Sequence, residues 1–239
     1  MTRQLLLLLA ASVFSQAATA LQIQRQLGDF DFRLGTGSSR SMAQGLISPS
    51  PVGAVHGGLD ISHASGWYVG QYTPSAGLTP TSTLRLDSYF GIKQRFNDSL
   101  GYEVGLIHYS LPNLADSDSY ALYGGLSLLG SRFGGALRDN PDNRTGTLFA
   151  DLGQLPLLDA GLTFKVAHHR LGTPFTISDG SQVEHFSDWS LQLSRPWLGL
   201  DLDLIYSSSD LSGAGCAAYA GINAYCDDMI TFKAQRSFF

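Results

Sequence analysis

The stretch from Thr83 to Ser110, TLRLDSYFGIKQRFNDSLGYEVGLIHYS, constrains the fold of this 239-residue chain more than any other. Leu84, Leu86, Phe90 and Ile92 share one parity, with Arg85, Asp87, Gly91 and Lys93 between them. This period of two is that of a strand with two unlike faces. Asn97-Asp98 breaks the run, and the alternation resumes with Leu100, Tyr102, Val104 and Leu106 against Gly101, Glu103 and Gly105. The pattern predicts a hairpin with a tight polar turn. An apolar sheet face needs a covering layer, yet no amphipathic helix follows to supply one. A sheet of this kind can instead close on itself with its apolar face outward in lipid, as an all-β, antiparallel, up-and-down transmembrane barrel.

The same alternation recurs in about twelve segments, from Gly28–Gly35 to Asp228–Phe238. Their connections alternate in length. Thr36 to Ala54, Pro74 to Thr81, Leu111 to Asp118, Asn140 to Arg144, Leu171 to Val183 and Ser208 to Asp227 are long, whereas Ala64-Ser65, Phe96 to Asp98, Gly130, Gln154 to Pro156 and Arg195-Pro196 are short. Short periplasmic turns, long outer loops and both termini in the periplasm would produce this rhythm. A soluble β-sandwich would share the alternation but does not demand it of the loops.

Met1 to Ala20 has the form of a secretory signal peptide: Arg3, an apolar core from Leu5 to Phe14, and Ala18-Thr19-Ala20 as a cleavage site. That core is about half the length of a membrane-spanning helix. The expected organisation is therefore a signal peptide over 1–20 and an outer-membrane β-barrel over 21–239. Net charge is −5, or −6 without Arg3, and only 15% of residues are charged. No basic patch suggests a nucleic-acid partner. The expected partners are outer-membrane lipid, lipopolysaccharide and small hydrophilic solutes.

The proposed lipid face carries Phe30, Phe32 and Leu34, then Leu59 and Ile61, then Leu198, Leu200, Leu202 and Leu204. Trp67, Tyr72, Tyr120, Trp189, Trp197 and Tyr206 lie towards strand ends, where interfacial girdles sit, although aromatic residues favour strands anyway. In the last segment Arg236 interrupts the apolar parity of Ile230, Phe232, Ala234 and Phe238. It either snorkels at a rim or marks a bulge.

Three runs carry a family resemblance: Gly57-Gly58-Leu59-Asp60-Ile61-Ser62-His63-Ala64-Ser65-Gly66-Trp67-Tyr68-Val69-Gly70; Leu100 to Gly105 followed by Tyr109 and Pro112; and Leu122 to Ser127. With Phe30-Asp31-Phe32-Arg33 before them, they resemble successive segments of the TorF-family porins of proteobacteria. Leu34-Gly35-Thr36 and Ile61 depart from that pattern. The resemblance, strongest from Phe30 to about Gly135, implies a bacterial outer-membrane location and a barrel fold and favours a pore, which with a polar interior would pass small hydrophilic solutes by passive diffusion.

Residues of the opposite parity are the expected pore lining: Arg33, Asp60, Arg85, Asp87, Lys93, Glu103, Lys165, Asp201 and Asp203, with Asp29, Asp31, Asp159 and Lys233 as further inward candidates. Carboxylates outnumber bases among these by eight to five, a weak bias towards cations. Charge alone is equally compatible with a barrel plugged by ion pairs such as Arg85 with Asp87 or Glu103. A non-conducting barrel acting through its outer loops is the alternative function.

Cys216 and Cys226, the only cysteines, fall in the last outer loop, where an oxidising compartment predicts a disulfide. Two thiolates without further Cys or His neighbours make a poor metal site. Asp116 with Asp118, and Asp139 with Asp142, lack the ligand count for calcium. No Gly-x-Ser-x-Gly elbow is present, and the adjacent His168 and His169 must point to opposite faces of a strand. No catalytic residue, metal or cofactor is expected, and the chain does not read as an enzyme.

Overall fold

The structure is a computed structural model in which residues 22–35, 42, 57–76, 84–112, 118–140, 142–155, 159–197, 200–223 and 225–235 are described. The expected signal peptide and Arg236 lie outside these residues. The described chain is all-β. Thirteen strands run in sequence: β1 (Gln22–Leu27), β2 (Phe30–Gly35), β3 (Gly57–His63), β4 (Trp67–Ala76), β5 (Leu84–Arg95), β6 (Leu100–Ser110), β7 (Ser119–Leu128), β8 (Ser131–Asn140), β9 (Asn143–Leu155), β10 (Ala160–Thr176), β11 (Gln182–Trp197), β12 (Leu200–Ser209) and β13 (Met229–Gln235). Each strand pairs antiparallel with its sequence neighbours in one sheet ordered β1 to β13. Among the described residues no ladder joins β1 to β13, so the sheet is open where a closed barrel was expected.

The expected twelve segments correspond to β2 through β13, and β1 is additional. Gly28, in the left-handed region at φ 59°, turns the chain so that Leu27 pairs with Phe30 and Gln22 with Gly35. An odd count in a meander puts Gln22 and Gln235 at opposite ends of the sheet, not at the same end as expected.

Two connections expected to be long are tight. The Asn140 side-chain oxygen accepts the N–H groups of Asp142 and Asn143 at 2.8 and 2.7 Å, which folds β8 straight into β9. Strands β10 and β11 continue to Thr176 and from Gln182. Between them Ile177 N–H donates to Ser181 O, and Asp179 accepts both the N–H and the hydroxyl of Ser181. The predicted β5–β6 turn uses the same device, with Asn97 Oδ1 accepting from Ser99 and Leu100.

The two faces differ as the alternation predicts. Phe90, Leu106, Leu122, Leu137, Leu148 and Phe232 stand exposed, Leu137 at 71% and Leu148 at 65%. The opposite face buries Tyr68, Tyr89, Tyr109, Tyr123 and Phe149 together with Asp60, Asp87, Glu103 and Asp188. The sheet is curved about this second face. Strands three apart lie about 14 Å from each other in a flat sheet, yet the hydroxyls of Tyr68 on β4 and Tyr123 on β7 are hydrogen-bonded.

Curvature of this kind leaves room for aromatic rings only if small residues face them. Tyr89 pairs directly with Gly70, Tyr68 with Gly91, Tyr123 with Gly105 and Phe149 with Gly134. In the last pair a Cβ on the glycine would meet the ring at 2.8 Å, and at Gly70, Gly91 and Gly105 it would collide with the facing tyrosine. Each ring thus lies over its cross-strand glycine, a packing unit that pins register. Tyr72 is buried on this face, not set in an exposed girdle; it lies five positions from Trp67 and so has the opposite parity.

Candidate functional site on the concave face

The register gathers the expected inward residues on one concave surface. Arg33 faces Asp60 across β2–β3, Lys93 faces Glu103 across β5–β6, and Lys165 faces Phe149 across β9–β10. Asp203 sits on the same side of β12 as the buried Ser207. Asp201 and Lys233 lie at register positions opposite Gln235 and Asp203, and their side chains are outside the described residues. Asp29 and Asp159 do not face inward: both are exposed in turns.

Asp60, Asp87, Glu103, Asp151, Asp188 and Asp203 each accept at least one hydrogen bond. Asp60 Oδ2 accepts the Tyr89 hydroxyl at 2.7 Å. Glu103, 2% exposed, accepts the Tyr68 hydroxyl at 2.7 Å and the backbone N–H of Met42 at 2.6 Å on the same oxygen. Its second oxygen, Oε2, has no hydrogen-bond partner, as is also true of Arg33 Nε. Met42 itself is buried, its sulfur lying over Gly125 where no side chain competes for the space. Asp203 accepts from Ser194 and Gln192 at 2.6 and 3.0 Å, and Asp151 from Arg132 at 2.6 Å.

Asp87 is fully buried and holds the Arg85 guanidinium in a two-point contact at 2.8 and 3.2 Å. This is the ion pair weighed from the sequence, formed within one strand; Arg85 chooses Asp87 and not Glu103. Arg85 also lies over the ring of Tyr109, 5.1 Å from its centroid. Arg138 of β8 stacks on that ring at 4.5 Å and donates through Nε to Ser119 at 2.9 Å.

A third cluster ties the last loop to the sheet. Buried Asp188 on β11 accepts Ile222 N–H at 2.6 Å and the Tyr219 hydroxyl at 2.8 Å on one oxygen, and faces His169 Nε2 at 3.1 Å with the other. Burial, together with the hydrogen bond to Asp188, raises the Tyr219 phenol above its ordinary pKa and keeps it a donor. The loop carries the short 3-10 helix Gly213–Ala218 and the expected Cys216–Cys226 disulfide. His169 Nδ1 lies 2.9 Å from Thr145 Oγ1 and its ring stacks on Phe186. Hydroxyl, imidazole and carboxylate in series also describe an acyl-transfer triad. Here the imidazole is 2% exposed under Phe186 and Asp188 is committed to the loop, which suits anchoring better than attack on a substrate. His168 points away from this cluster, as adjacent positions in a strand require.

At the loop between β6 and β7, Asp118 accepts Leu111 N–H at 3.2 Å and meets His108 Nε2 at 3.1 Å. The Leu111 amide, with Ser110 and His108, holds its carboxyl below the ordinary range. Asp139 is bound by Arg144 at 2.9 and 3.1 Å. The parity of β7 to β11 could have flagged Ser119, Arg138 and Asp188 as inward, whereas the contacts of Asp188 with the last loop, more than 30 residues away, have no signal in the sequence.

Residues 44–134 match the model of a family described as a bacterial protein of unknown function (Gcw_chp). The match runs from before β3 into β8, so it takes in Asp60, Tyr68, Asp87, Tyr89, Glu103 and Tyr109 and stops short of Arg138 and Asp188. No curated protein and no solved structure matches the chain.

Proposed function

We propose that the protein is a bacterial outer-membrane β-barrel porin that lets small hydrophilic solutes diffuse through its concave interior. The observation that carries this reading is the inversion of the two faces: leucine and phenylalanine stand exposed along the strands while Asp60, Asp87, Glu103 and Asp188 are buried. In water such an exposed band would associate; against hydrocarbon it is the favourable surface. Exposed Trp197 near the short-turn end and Tyr120 near the opposite end fit two interfacial belts. The resemblance of Phe30 to Gly135 to TorF-family porins supports the outer-membrane location and the barrel fold.

In this reading β2 to β13 form the barrel wall, an even set of strands whose first and last members can pair antiparallel. Strand β1 fits lipid poorly, because Arg25 faces Phe32 on the apolar side, where an arginine at mid-bilayer costs about 2–4 kcal/mol. The expected cation bias would rest on Asp60, Glu103 and Asp203, whose partners are neutral donors, since Asp87 and Asp151 are paired with Arg85 and Arg132.

The second reading is a barrel that does not conduct. Met42 packed against Glu103 and Gly125, and the last loop tied to Asp188, both place chain against the concave face. Planar-bilayer recording on the refolded protein separates the two. Discrete conductance steps, with reversal potentials under a salt gradient giving the charge preference, support the porin. A protein that inserts, shifts its gel mobility on heating and stays electrically silent would remove it in favour of the loop-bearing barrel.

A further inference from the structure

Arg138 is the one guanidinium of the concave face that stacks on an aromatic ring without a carboxylate among its described contacts. Its Nε is taken by Ser119 and its plane by Tyr109, while its two terminal nitrogens meet no acceptor among the described residues. Nearby Arg85 spends its Nε and one terminal nitrogen on Asp87. Arg85, Arg138 and Asp87 together therefore carry one positive charge in excess. Direct strand neighbours do not offset it, because Ala121 on β7 and Thr145 on β9 are the register partners of Arg138. The side chain is half-buried, so the charge is only partly hydrated. A planar fork of this kind, already immobilised by a stacked ring and a hydroxyl, matches the two oxygens of a carboxylate with little further ordering. One positive charge in excess is neutralised by a monovalent anion, whereas a dianion would leave a negative charge uncompensated on the half-buried surface.

We propose that Arg138, braced by Ser119 and Tyr109 and backed by Arg85, is the docking point of a small monocarboxylate on the concave face. The inference rests on that face being reachable by solutes, as the porin reading has it, but it does not require conduction.

The test is saturation-transfer NMR on the full refolded protein in detergent micelles, with propionate as the probe and propionamide as its uncharged isostere. Wild type should give saturable transfer to propionate and bind propionamide at least about tenfold more weakly, the range of a charge-assisted two-point contact. Arg138→Gln should lose propionate by a similar factor. Arg138→Lys, which keeps the charge without the fork, should weaken it several-fold and serves if the glutamine variant does not refold. Equal binding of acid and amide, or unchanged propionate binding in either variant, overturns the proposal. Displacement by inorganic phosphate at lower concentration than by propionate itself overturns the monocarboxylate assignment. A silent protein that binds propionate leaves the inference standing and removes the porin, whereas a conducting one that ignores propionate does the reverse.

Discussion

Tyr89 on β5 donates its hydroxyl to Asp60 on β3, 2.7 Å away, by crossing the strand between them where Gly70 offers no side chain. The bond and the glycine are one device: any Cβ at position 70 displaces the ring and leaves a buried carboxylate without its donor.

Gly70→Val should therefore lower stability by about 1–3 kcal/mol through overpacking, with part of the loss recovered when Tyr89→Ala is added. Urea titration followed by tryptophan fluorescence reads both. A valine variant as stable as wild type would mean that the ring has another place to go.

Asp188→Ala removes the acceptor for Ile222 N–H, the Tyr219 hydroxyl and His169 together. We expect a loss of about 3 kcal/mol and early proteolytic cleavage within 210–228, mapped by mass spectrometry. Cleavage no faster than in wild type would show that the disulfide alone holds the loop.

Reducing Cys216–Cys226 opens a closure spanning 10 residues. The chain-entropy relation predicts a loss of about 2–3 kcal/mol, seen as a lower melting temperature with reductant. The Cys216→Ser, Cys226→Ser double variant should melt at that lower temperature with or without reductant.

Asp118 gives a pH dependence with a definite sign. Its carboxyl titrates below the ordinary value because Leu111 N–H, Ser110 and His108 favour the charged form. Its contribution is present above the ordinary carboxylate pKa of about 3.9 and is lost as pH falls through the lower folded-state value. Hydrogen exchange at the Leu111 amide should accelerate, relative to its intrinsic rate, in that acid window. Asp118→Asn should flatten the profile.

Strand β1 should be dispensable. Under the barrel reading, deleting residues 22–27 should leave a protein that inserts and is heat-modifiable on gels, because β2 to β13 keep every other ladder. A deletion that no longer folds would make β1 part of the wall.

The alternation of Thr83 to Ser110 was enough to place β5, β6 and their Asn97 turn, and the same parity found twelve of the thirteen strands. Strand β1 escaped because Arg25 falls between Ile23 and Leu27 and destroys the apolar parity. The tight β8–β9 turn escaped because it depends on one side-chain oxygen of Asn140. Tyr72 reads as a girdle residue from its place near a strand end, although its parity against Trp67 puts it inside. For the site, period two located Asp60, Asp87 and Glu103 and offered Arg85 as the partner of Asp87, whereas Tyr89 on Asp60 and Tyr68 on Glu103 follow from how the strands pack. Nothing along one strand reveals that Tyr68 and Tyr123, 55 positions apart, share a hydrogen bond.

The glycine-and-ring pairs and the cross-strand carboxylates also bear on how the sheet would enter a bilayer under the proposed reading. A lone β5–β6 hairpin carries the Arg85–Asp87 pair and Lys93 opposite Glu103, but the Glu103 donors, Tyr68 and Met42, lie outside it. A carboxylate that enters hydrocarbon without its hydrogen-bond donors does so at a high cost. If the chain spans a membrane as proposed, β4 and Met42 are therefore expected to settle on this hairpin before lipid surrounds it.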